Sequence, residues 1–168
     1  LNRWFDRVAA GLRTADRPAR ERELRKFADD LKALKEKATD PGNDLTGENI
    51  GNVVIALMMP AFTKVQAADD RTEQRSRNLH IAFALAAYRR DAGRYPANLD
   101  ELAPKYLAAV PADLFSGKPL VYRPTGDGYI LYSVGTNGQD DGGRSYDDDP
   151  PADDLTVRVP LPELKVKR

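Results

Sequence analysis

The stretch from Glu48 to Asp91 is helix-prone, and its polarity switches abruptly midway. Asp69 to Asn78 is ten consecutive polar residues, whereas Leu79 to Tyr88 is apolar or aromatic everywhere except His80. A helix that is apolar on every side is one buried on every side. The pattern predicts a single helix, wet in its first half, that becomes the central spine of a globular body over about residues 61–92. Pro60 is expected to kink or break the preceding part, because proline removes a backbone donor and crowds the turn before it.

Upstream, Trp4, Phe5, Val8, Ala9 and Leu12 recur at helical spacing and predict a short amphipathic helix. Asp16 followed by Pro18 reads as a cap plus an early-turn proline that starts a second helix. There Leu24, Phe27, Leu31 and Leu34 form a narrow seam like that of a coiled coil, among Arg, Lys, Glu and Asp. Asp40-Pro41-Gly42-Asn43 ends it. Residues 1–45 are therefore expected to form a charged region of two helices, and 46–168 a second domain. The seam must be buried, either by folding back on the spine or against a partner chain.

Downstream, Asp91-Ala92-Gly93 stops the spine, with Gly93 as a left-handed cap. Asn98 and Glu101 have capping-box spacing for a short helix carrying Leu99 and Leu102. A hairpin is expected over about 119–134: Leu120–Arg123 and Tyr129–Val134 are β-branched and aromatic, and Pro124-Thr125-Gly126-Asp127-Gly128 supplies turn chemistry between them. A Gly/Asp-rich loop occupies 135–154, and Thr156–Val159 reads as a third strand edged by Pro160 and Pro162. The fold class expected is α+β, with long N-terminal helices and a spine helix packed on a small three- to four-stranded antiparallel sheet.

The balance of 26 acidic and 26 basic residues leaves no global field drawing the chain to nucleic acid or to a membrane surface. Arg71, Arg75, Arg77, Arg89, Arg90 and Arg94 are read as a solvated helix face rather than a nucleic-acid interface. With no cysteine, disulfides, thiolate metal sites and cysteine nucleophiles are excluded. The longest apolar run, Val53 to Phe62, is about half the ~20 residues a membrane helix needs. The chain starts at Leu1 rather than Met, and any signal or anchor is expected upstream.

Three segments resemble a known family. Ala87-Tyr88-Arg89-Arg90-Asp91-Ala92-Gly93-Arg94-Tyr95-Pro96, followed by Leu99-Asp100-Glu101-Leu102, resembles the passage from spine to head in pseudopilins. Asp113-Leu114-Phe115-Ser116-Gly117-Lys118-Pro119-Leu120-Val121-Tyr122 resembles their entry into the hairpin. Tyr132-Ser133-Val134-Gly135-Thr136-Asn137-Gly138, with Gly142-Gly143, resembles the loop that follows in the major pseudopilin of type II secretion systems. Envelope-associated proteins of planctomycete-type bacteria that carry this module at their C-terminal end are similar. The resemblance implies a pilin-like head, a place in the bacterial cell envelope (periplasmic or extracytoplasmic), and a structural calcium in the loop after the hairpin. Gly47-Glu48 ahead of Val53–Pro60 is a short echo of the family's processing site and apolar helix, and the charged region before it has no counterpart there.

The strongest chemical signal read from the residues themselves is acidic. Seven aspartates (140, 141, 147, 148, 149, 153 and 154) face one cation, Arg144, between Asp140 and Asp154. Hard cations such as Ca²⁺ take carboxylate, amide and carbonyl oxygens, and glycines let the backbone turn its carbonyls inward. Asn137, Asp140 and Asp141 among four glycines supply that chemistry, and Asp147, Asp148 and Asp149 are expected to close the shell. The spacing is not that of an EF-hand, and a solvated acidic loop is the plain alternative. His80, the only histidine, is expected to be packed, and its solitude leaves no Ser-His-Asp triad. Ser133 lacks the flanking glycines of a nucleophile elbow. Asp100 and Glu101 lie at a helix start, where their charge favours the dipole.

The expectation is a non-catalytic structural or interaction protein of the cell envelope, stabilised by calcium in its acidic loop. A protein partner or self-association is expected through the N-terminal helices. A calcium-dependent binding module is the alternative, and a metal-assisted hydrolase a weaker one.

Overall fold

The computed structural model describes residues 6–7, 9–11, 13–14, 17–38 and 47–161. The chain divides into two compact units, Leu1–Ala68 and Asp69–Arg168. Trp4, Phe5, Val8 and Leu12 of the expected first helix, the Asp16 cap, the 40–43 boundary and Pro162 lie outside the described residues.

In the first unit, α1 spans Arg17–Ala38. Leu24, Phe27 and Leu31 of its seam are buried, together with Arg20 one turn earlier. Arg7 reaches across to ion-pair with Asp30 at 2.9 Å, and its guanidinium lies 5.5 Å from the centre of the Phe27 ring. The three seam side chains are thus covered within the chain.

α2 spans Gly47–Ala92 and keeps Pro60 inside it. The proline does not end the helix, since its missing donor costs one hydrogen bond in a run of 46 residues. No helix among the described residues is long and apolar enough to cross a membrane. Gly93, with φ +73°, closes α2 by donating its amide to the Arg89 carbonyl at 2.8 Å, the left-handed cap expected there.

In the second unit, β1 (Val121–Thr125), β2 (Gly128–Ser133) and β3 (Leu155–Val159) form an antiparallel sheet in the order β1-β2-β3. Val121 pairs with Tyr132 and Thr125 with Gly128, so the hairpin turn is only Gly126-Asp127. The expected five-residue turn is shorter because β1 is an edge strand, and an edge can carry Pro124 without losing a ladder bond. The core joins Ile81, Ala84 and Leu85 of α2 to Leu99, Leu102, Leu120, Tyr129 and Leu131, with Tyr88, Tyr95, Tyr106 and Tyr122 packed around it. Asn98 and Glu101 form the expected capping box on the 3-10 turn Leu99–Leu102, and Glu101 also accepts from the Tyr88 hydroxyl at 2.6 Å.

The spine departs from its expected burial in both halves. Leu79 and Phe83 are 51% and 71% exposed, and His80 is exposed rather than packed. The three strands, ~4.8 Å apart, span about the width of one helix and cover one side of it only. Conversely, Gln74 and Asn78 of the polar half are buried. Gln74 donates to Asn78 Oδ1 at 2.7 Å and accepts from the Leu114 amide at 2.6 Å, and Asn78 donates to the Leu155 carbonyl at 2.7 Å. These side chains satisfy backbone groups that the sheet leaves open where β3 begins.

Candidate metal centre

The loop between β2 and β3 folds back on its own carboxylates. Its entry is pinned by Asp113, buried outside the loop, which takes four hydrogen bonds. Phe115 amide and Ser133 Oγ donate to one oxygen, at 2.9 and 2.7 Å. Ser116 Oγ and the Val134 amide donate to the other, at 2.9 and 3.2 Å. Gly135, at φ +66°, then passes so close to the Asp153 carbonyl that a Cβ would collide with it. The loop's start is thereby held against its end.

Asp153 and Asp154 sit at that crossing. Asp153 Oδ2 accepts from Thr136 Oγ1 at 2.8 Å and from the Asn137 amide at 2.9 Å. Asp154 is 1% exposed, and its Oδ2 accepts from the Gly143 amide at 2.8 Å. The Oδ1 atoms of both residues are buried without a hydrogen-bond partner. Carboxylate oxygens of Asp141, Asp153 and Asp154 all lie within 4.8 Å of one another. Two oxygens on opposite sides of one Ca²⁺ would stand about 4.6–5.2 Å apart, so the spacing suits a hard cation. Burial pushes the Asp154 carboxyl up to about 6, with the charges of Asp141 and Asp140 adding to it and the Gly143 amide pulling the other way.

The six residues singled out from sequence are distributed differently. Asp141 belongs to the cluster, where it also accepts from Asn137 Nδ2 at 3.1 Å and Arg144 at 3.4 Å. Asn137 Oδ1 accepts from the Gln139 amide at 2.6 Å. Asp140 accepts from the Gly142 amide at 2.9 Å and the Tyr132 hydroxyl at 2.8 Å, which hold its carboxyl below the usual range. Asp148 forms a two-pronged pair with Arg158 at 2.9 and 2.7 Å and accepts from Ser145, and these contacts depress its carboxyl strongly. Asp147 and Asp149 are exposed. Asp153 and Asp154 were counted in the acidic run but not chosen as ligands. Their signal is position: they immediately precede an apolar strand, so the pleat and the crossing at Gly135 draw them inward.

The contrast with Asp113 defines what the site can do. One buried aspartate has four donors, whereas Asp154 has one hydrogen bond and two acidic neighbours. A buried carboxylate oxygen without a donor is costly. A bound cation is the chemistry that would relieve it, with Asp141, Asp153 and Asp154 as ligands. No family model matches the chain, and no curated protein or solved structure matches it either.

Proposed function

We propose that this protein is a non-catalytic structural and interaction protein of the bacterial cell envelope, whose pseudopilin-like second unit is clamped by a divalent cation, calcium by its oxygen ligands. The carrying observation is the pair of buried, partnerless Oδ1 atoms of Asp153 and Asp154 beside Asp141. The envelope and pseudopilin reading draws on the three resembling sequence segments, and the helix-on-sheet body is consistent with it. The non-catalytic reading draws on the lone histidine and the missing cysteine. In this role the cation ties the two ends of the loop between β2 and β3, and the N-terminal helices take a partner.

Thermal melts in calcium and in EDTA test the proposal. A ligand at 100 times its dissociation constant adds about 2.7 kcal/mol, which for a unit of this size raises the midpoint by roughly 10 °C or more. Identical midpoints in calcium and EDTA would remove the cation from the reading. A calcium-dependent binding module is the second reading, favoured by Tyr146, 85% exposed beside Asp147 on the outer side of the loop. Calcium-dependent retention of a ligand that Tyr146→Ser abolishes would select it.

A further inference from the structure

We propose that the N-terminal part of α2 pairs in parallel with the same segment of a second copy of this chain. Val54, Met58, Ala61, Val65 and Ala68 step along the helix by 4, 3, 4 and 3 residues, and all five are exposed. Val54 and Met58 are 50% exposed, Val65 68%, and the adjacent Leu57 67%. Alternating steps of 3 and 4 keep a stripe in line when two helices supercoil at 3.5 residues per turn. A contiguous exposed apolar stripe on a helix marks a contact surface. The comparable seam of α1 is already buried, so α2 carries the unpartnered one.

The flanks of the stripe choose the occupant and its direction. Leu57 and Lys64 lie on one edge, and Phe62 and Asp69 on the other. In a parallel two-stranded pair, a residue on the first edge faces the residue five positions later on the second edge of its partner. This sets Leu57 against Phe62 and Lys64 against Asp69, apolar on apolar and cation on anion, twice by symmetry. An antiparallel pair sets like edges together and brings Lys64 against the basic edge that continues to Arg71. Lys64 and Asp69 are exposed, and neither is in an ion pair among the described residues. The stripe is thus self-complementary in one direction only.

The inference refines the proposed partner contact and does not depend on the cation. Its tests are therefore run in both EDTA and calcium, and a failure here leaves the calcium melts unaffected. Sedimentation of the whole chain over a wide concentration range is expected to show the mass doubling. Lys64→Glu is expected to abolish the dimer, and the swap Lys64→Glu with Asp69→Lys to restore it. The chain has no cysteine, so single substitutions report proximity cleanly. Val65→Cys, on the pair's axis, is expected to form a disulfide-linked dimer under mild oxidation, whereas Thr63→Cys on the opposite face is not. The proposal is overturned by a monomer at every concentration, by cross-linking of T63C as efficient as that of V65C, or by a charge swap that fails to restore the dimer. Binding of the monomeric chain to lipid vesicles through this stripe would equally overturn it.

Discussion

Asp154 is the residue on which stability and cation binding meet. Its carboxyl is raised from 3.8 to about 6, so without a cation the folded chain holds this proton more tightly than the unfolded chain does. The group's favourable contribution is therefore fully present below pH 3.8, falls as pH rises, and is gone above about 6. A shift of that size corresponds to something on the order of 2–3 kcal/mol. Asp154→Asn removes the titration, so in EDTA the variant is expected to melt above the wild type at pH 7 and to lose the decline between pH 4 and 6. It is also expected to lose the calcium-induced rise in midpoint. Melts of both proteins across that pH range, with and without calcium, check the sign. A variant that still responds fully to calcium would place the cation elsewhere.

The telling feature at the scale of elements is the two-faced spine. Ile81 and Leu85 are fully buried against the sheet, while Phe83 between them stands outside. Ile81→Ala is expected to cost about 2–5 kcal/mol, because it leaves a cavity that the rigid strands cannot collapse into. Phe83→Ala, although it removes more atoms, is expected to stay within about 0.5 kcal/mol. Urea denaturation of the two variants measures the difference, and equal losses would mean that the helix is enclosed on both sides. Asn78 adds a polar counterpart on the buried face. Asn78→Ala leaves the Leu155 carbonyl and the Gln74 amide unpaired in the interior and is expected to cost about 1–3 kcal/mol without changing the response to calcium.

For the molecule as a whole, the division at Ala68–Asp69 falls inside α2 rather than in a loop. The second unit holds its complete core: one face of α2, the 3-10 turn and all three strands. A fragment spanning residues 69–168 is therefore expected to melt cooperatively and to keep the calcium response. Calorimetry of the fragment beside the whole chain tests this, and a fragment without a cooperative transition would show that residues 1–68 complete the fold.

Local chemistry was enough to locate the hairpin, the Gly93 cap, the Asn98–Glu101 capping box and the third strand, because turn residues and caps act on neighbours in the chain. Helical spacing likewise identified Leu24, Phe27 and Leu31 as a seam in need of cover. Composition could count seven aspartates but could not separate Asp148, spent on Arg158 from β3, from Asp154, left with one donor. That separation depends on where β3 returns to the sheet, a long-range event that no window of residues encodes. The same holds for Gln74 and Asn78, polar yet buried, and for Leu79 and Phe83, apolar yet exposed. Hydropathy reports what a side chain prefers, but the width of a three-stranded sheet sets how much of a helix can have it.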